Sequence, residues 1–301
     1  MEQAMETIGA ESQAAETLSI ETQIVKCERL EICLNVDVLK QFCHEVSALV
    51  DEAKITFSVT DGLRAKVVDP AHIAMVETGI ALEVMEQFHF YPQGLDIGDN
   101  GEIAEIGIDM DKLESYLKSL KLKDEILKLT VDWSKSAIGQ LYVDSPTGRR
   151  VMSLIDTTGM SDPKIPTLNL PVEIEVEDPK AFRGLLRQAE SISDHIAISY
   201  DGETNAVWLD CEGDQDKLHA QVIGTVLRAD GRSDRQTNLE TGNSELVQVL
   251  DCRSLFPLEY FKEFARAIPQ GFKLHFGHDY PLKLTYGRTT YLLAPRIETT
   301  D

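Results

Sequence analysis

The chain has 301 residues, 43% of them hydrophobic, and a formal net charge of −22, with 29 basic residues against 51 acidic ones. That length can bury one large core or two of ordinary size, and no stretch approaches the roughly 20 apolar residues that a bilayer-spanning helix requires. Cys27, Cys33, Cys43, Cys211 and Cys252 form no CxxC pair, which argues against a zinc ribbon and a disulfide framework, and the opening residues lack a basic segment followed by an apolar one, so a soluble, cytoplasmic protein is expected.

Residues 1–28 are rich in Glu, Gln, Ala, Ser and Thr and predict a disordered acidic extension, with transient helix over 5–18 and a possible added strand over 20–27. Leu39, Phe42, Cys43, Val46, Leu49 and Val50 then recur at helical spacing, Ile55, Phe57 and Val59 alternate as a strand, and Asp61-Gly62 forms a turn. Strands are expected over 65–68, 81–88 and 104–108. Leu113, Tyr116, Leu117 and Leu120 predict a second helix ahead of a strand around Lys128 and Leu129, and strands over 141–143 and 151–154 complete a domain spanning 29–155. Residues 156–171 (DTTGMSDPKIPTLNLP), with Met160, Ile165, Leu168 and Leu170 isolated among polar residues and prolines, read as an extended surface connector.

About 140 residues after its first appearance the opening unit returns. Phe182, Leu185, Leu186, Ala189 and Ile192 make a helical stripe, Ile196, Ile198 and Tyr200 alternate, and Asp201-Gly202 closes the turn. Strands follow over 207–209 and 218–226, then a polar run over 228–245 that reads as a mobile loop. Leu258, Phe261, Lys262 and Ala265 predict a fourth helix before a strand at Lys273 and Leu274, and strands over 282–285 and 291–293 complete a second domain, 172–301. The expectation is an α+β protein of two similar domains, each with antiparallel sheets covered on one face by two helices.

Acidity at first argues against binding nucleic acid, because phosphates are neutralised by Lys and Arg, but what matters is where the basic residues sit. Opposite or flanking the apolar stripes lie Lys40 and His44 on the first helix, Lys112, Lys118 and Lys121 on the second, and Lys180, Arg183 and Arg187 on the third. The fourth offers Lys262 and Arg266, diluted by Glu259 and Glu263. Basic residues concentrated on four related helices suggest one shared positive surface.

Four segments carry a resemblance: 49–55 (LVDEAKI), 68–76 (VDPAHIAMV), 254–262 (SLFPLEYFK) and 291–297 (YLLAPRI). In this order, in a duplicated chain, they resemble the proliferating cell nuclear antigen (PCNA) family of sliding clamps, archaeal type, over about residues 29–297. The resemblance implies the DNA clamp fold, a homotrimeric ring with helices lining the hole and sheets outside, and a processivity factor that encircles duplex DNA without reading its sequence. Family DNA-facing positions match Lys40, Lys118, Arg187 and Arg266; Lys180, Arg183 and Lys262 are neighbouring basic candidates from the helix faces. Ser47, Ser115 and Gly184 stand where relatives often carry a basic residue.

The same resemblance implies a hydrophobic pocket under the connector that accepts a short partner motif ending in an aromatic pair. Its matching positions are Val68, Ile73 and Met75, Met160 and Ile165 on the connector, Pro281, and Leu292, Leu293, Ala294 and Pro295, with His72 a further candidate. The implied protein partners are a replicative DNA polymerase, a clamp loader, a flap endonuclease and a DNA ligase. No catalytic residue, cofactor or metal is expected. One alternative is a clamp-like scaffold, or one subunit of a heterotrimer. Another is a metal-dependent hydrolase using His275, His278 and Asp279, although alternation along a strand would send the two histidines to opposite faces.

Overall fold

The computed structural model describes residues 27–91, 101–229 and 252–296. The extension before Cys27 and the polar run beyond Ala229 lie outside the described residues. The first repeat runs β1 (Arg29–Asn35), α1 (Val36–Ser47), β2 (Glu52–Ser58), β3 (Gly62–Val68), β4 (Ala74–Ile80), β5 (Gln87–Tyr91), β6 (Glu102–Asp109), α2 (Met110–Ser119), β7 (Ile126–Asp132), β8 (Gln140–Ser145) and β9 (Gly148–Ser153). The second runs β10 (Val172–Val176), α3 (Pro179–Glu190), β11 (His195–Asp201), β12 (Ala206–Glu212), β13 (Lys217–Gln221), β14 (Thr225–Ala229), β15 (Cys252–Pro257), α4 (Leu258–Ala267), β16 (Phe272–Phe276), β17 (Leu282–Tyr286) and β18 (Thr289–Leu293).

Local chemistry sets these boundaries. Leu30, Ile32 and Leu34 alternate into the core along β1, and the Asn35 side chain then accepts from the Asp37 amide at 2.7 Å, starting α1. In the second repeat Asp178 accepts from the amides of Lys180 and Ala181, with Pro179 at the first helical position. Asp109 caps α2 by accepting from Lys112 at 2.8 Å, whereas Pro257 precedes α4 without a side-chain cap. Even an outer-face ion pair is duplicated: Lys128 meets Glu31 at 2.9 Å, and Lys273 meets Glu173 at 3.0 Å.

Two strand expectations change. The segment 81–88 is not one strand, because a 3-10 turn at Leu82–Val84 separates β4 from β5; Leu82 and Met85, three apart, share a face in such a turn, whereas strand alternation would send them to opposite faces. The segment 218–226 divides into β13 and β14 around Gly224, where an added Cβ would lie 2.4 Å from the Glu175 carbonyl oxygen. Arg228 and Ala229, expected in a loop, end β14.

Among the described residues all strand pairs are antiparallel and form three sheets, ordered β5-β1-β7-β8-β9, β14-β10-β16-β17-β18-β4-β3-β2-β6 and β13-β12-β11-β15. The nine-stranded sheet crosses between repeats at β18 and β4. Its two parts have the strand orders of the five-stranded and four-stranded sheets, so those two sheets are the same junction left uncoupled.

Helices α1 and α2 lie together, as do α3 and α4, and α1 also meets α4 across the repeats. At that junction Tyr291 stacks on Phe264 at 4.4 Å and donates from its hydroxyl to the Glu45 carbonyl at 3.1 Å. The buried Glu45 carboxylate accepts from Gln41, Thr78, Thr289 and Tyr286. Burial, followed by the Glu45 charge, pushes the Tyr286 hydroxyl far above the ordinary tyrosine range, so it stays a donor. A satisfied buried carboxylate is costly to disturb, which makes this junction a permanent one.

Candidate nucleic-acid face and docking pocket

The four helices bury their apolar stripes against the sheets and turn their polar sides outward. Lys180 and Arg187 on α3 are exposed and pair with no carboxylate among the described residues. Lys118 is 61% exposed and pairs with Glu114 at 2.7 Å, and Arg266, 59% exposed, pairs with Glu263. Lys262 is half-buried against Glu190. These pairs lower the positive field without removing the groups from the surface.

Lys40 and Arg183 sit differently. Lys40 donates from Nζ to the carbonyl oxygen of Leu122 at 2.6 Å, just past the end of α2. Arg183 occupies the matching place in α3 and donates to Ala265 and Ile268 at 3.0 and 2.9 Å, at the end of α4. Each first helix is thereby tied to the negative end of the second helix in its repeat. Sequence spacing gave their direction but not this partner, because the accepting carbonyls are about 80 residues away in the chain.

Beneath the connector lies a cavity of about 150 Å³ lined by Val68, His72, Ile73, Ala74, Met75, Pro166, Leu168, Pro281, Leu292, Leu293 and Ala294. It unites the expected residues from the β3–β4 turn, Pro281 and the end of β18. From the connector it takes Pro166 and Leu168 rather than Met160 and Ile165, which do not line it. Leu168 had been legible only as an isolated apolar residue. Pro295 instead lines an adjoining cleft of about 720 Å³ with Ala294, Ile73, Tyr260 and Arg296. The Ala294 amide donates to the Ile73 carbonyl at 2.8 Å where the two spaces meet.

The residues considered for metal binding do not converge. His275 is half-buried on β16, with Nε2 3.4 Å from Thr285, while His278 is exposed beside Asp279 in the following turn. Among the described residues no group of three or more His, Cys, Asp and Glu is arranged to hold a metal. Likewise, none of the described helices is long and apolar enough to cross a membrane.

Compared with protein-family models, the chain matches none. It is 30% identical over 279 residues to a DNA polymerase sliding clamp of Methanothrix thermoacetophila, covering 89% of this chain and 99% of that one. A sliding clamp of Halobacterium salinarum is 28% identical over 274 residues, covering 88% and 97%. Among solved structures, A. fulgidus PCNA with the C-terminal region of FEN-1 bound superposes with a TM-score of 0.69 at 26% identity, over 90% of this chain and 100% of that one. With the duplicated α+β fold, four helices in contact in the order α2-α1-α4-α3 and a cavity under the connector, this similarity over nearly the whole length establishes that the chain belongs to the DNA polymerase sliding clamp family.

Proposed function

We propose that three copies of the chain close into a ring that encircles duplex DNA and acts as a cytoplasmic processivity factor, holding other proteins on DNA without catalysing a reaction itself. The observation that carries this reading is the pair of uncoupled edges. Among the described residues β9 pairs only with β8, and β13 only with β12, although their counterparts β18 and β4 are joined within the chain. Exposed edges invite pairing, and here the sequence contains its own template for it.

The register follows from the internal junction, where Thr290 faces Glu77, Tyr291 faces Val76 and Leu292 faces Met75. The hairpins match at Tyr286↔Thr289 and Ser145↔Gly148, and the rows Ile55–Ala65–Thr78 and Ile198–Leu209–Ala220 align β4 with β13. Transferred between copies, Arg149 faces His219, Arg150 faces Leu218 and Val151 faces Lys217. Arg150, which lies over the Tyr116 ring at 4.8 Å, takes the place of Tyr291 over Phe264. The number of copies follows the resemblance.

Inside the ring, Lys118, Lys180, Arg187 and Arg266 would meet phosphates, with Lys262 at the margin. Such contacts carry no sequence information and exchange readily, which permits sliding. The cavity beneath the connector would seat a short apolar motif of a flap endonuclease, polymerase, clamp loader or ligase, as burial of a partner's side chains favours. Sedimentation tests the assembly: the expected species has three times the 33.6 kDa chain mass, and a single-chain species at micromolar concentration would refute ring formation.

A further inference from the structure

One carboxylate organises the turn between β3 and β4. Asp69, only 3% exposed, accepts from the amides of Ala71, Ile73 and Ala74 at 3.0, 2.7 and 2.6 Å, and from the Tyr260 hydroxyl at 2.8 Å. Its own amide donates to the Ala74 carbonyl, and its carbonyl accepts from the His72 amide at 2.9 Å. The closed turn holds His72 at φ 58°, a conformation that residues other than glycine adopt infrequently. Val68, His72, Ile73, Ala74 and Met75, which form one wall of the 150 Å³ cavity, belong to this turn or its flanks.

Tyr260 contributes the bond that reaches this carboxylate from the other repeat. It stands in the first turn of α4, half-buried, and its side lines the adjoining cleft rather than the smaller cavity. Burial alone would raise the Asp69 carboxyl, but the Ala74 amide, the Tyr260 hydroxyl and the Ala71 and Ile73 amides together hold it below its ordinary value. Burial, and then the bond to Asp69, pushes the Tyr260 hydroxyl up to about 12. At neutral pH the acceptor is charged and the donor keeps its proton, a charge-assisted bond of the stronger kind.

We propose that the Tyr260–Asp69 bond is a latch between the two repeats that fixes the 69–73 turn, making Tyr260 a positioning residue for partner docking although it does not line the docking cavity. The inference rests on the docking reading of that cavity. A peptide seated there meets a wall whose shape α4 secures from behind; without the hydroxyl the turn samples more conformations, and fewer of them accept the peptide.

The test uses the full chain and a synthetic peptide copied from the C-terminal region of a flap endonuclease, with affinity measured by fluorescence anisotropy. Tyr260→Phe keeps the ring and removes one hydroxyl, and is expected to weaken the peptide about tenfold, within the range for losing a bond to a charged group. Assembly mass and the salt dependence of DNA binding are expected to stay unchanged, while amide exchange at residues 71–74 accelerates. Asp69→Asn should also weaken the peptide, and the double variant should be little worse than the poorer single one, because both act through one bond. Equal peptide affinity in Tyr260→Phe and the unaltered chain would overturn the latch alone. Failure of the unaltered chain to bind the peptide would overturn the docking reading and the latch with it.

Discussion

Lys40 and Arg183 are counterparts in the two repeats, and each donates to backbone carbonyls where its repeat's second helix ends, Lys40 to Leu122 just past α2 and Arg183 to Ala265 and Ile268 at the end of α4. A cation there complements the helix dipole and satisfies carbonyls with no helical partner. Arg183→Ala is therefore expected to cost about 1–3 kcal/mol of stability, with little change in DNA affinity. The combined Lys118→Ala and Arg187→Ala variant should do the reverse, leaving the thermal midpoint nearly unchanged while reducing the slope of log K against log salt by up to about 2 per chain. Denaturant unfolding and DNA titration on both proteins separate the two roles; an unaltered salt slope in the double variant would mean that neither side chain meets phosphate.

For the proposed docking cavity, the connector residue expected to matter most is Leu168. It lines the cavity, whereas Ile165 does not. Leu168→Asp places a charge against an apolar wall and should weaken a bound partner peptide by about tenfold or more. Ile165→Asp should have the smaller effect. Calorimetric titration of one peptide against both variants checks the order, and a reversed order would move the site along the connector.

The duplication was legible because both repeats keep the same apolar spacings, from Leu39 and Phe182 on the first helices to Ile55 and Ile198 on the strands. Helix starts are set by local caps at Asn35, Asp109 and Asp178, which the apolar spacing by itself did not mark. Pairing between repeats was not. The β18·β4 junction, the Glu45 cluster and the Asp69–Tyr260 bond join residues roughly 190 or more positions apart, and no local periodicity encodes such partners. The helix faces gave the directions of Lys40 and Arg183, but a direction does not distinguish a phosphate contact from a carbonyl bond. On the connector, composition marked four apolar residues alike, and only the fold separates Leu168, facing the cavity, from Met160 and Ile165.

His275 gives the fold a dependence on pH. Burial lowers its pKa below the ordinary histidine value, aided by Lys283, Lys273 and Arg228 against the opposing Glu173 charge. As pH falls through about 6.5 the unfolded chain takes up a proton before the folded one does. The contribution of neutral His275 is thus complete above that pH and declines until the lower folded pKa is passed, with a slope of at most about 1.4 kcal/mol per pH unit. Urea unfolding from pH 7.5 to 5 should show a shallower decline for His275→Gln than for the unaltered chain; parallel curves would show that this histidine does not contribute.

Encirclement is the central claim, and topology tests it most directly. The chain is loaded onto closed circular and linear duplex DNA with a cognate loader and ATP, then passed through a sizing column at a salt concentration that suppresses phosphate contacts. A ring should remain with the circle and slide off the linear ends. Equal loss from both would contradict the account.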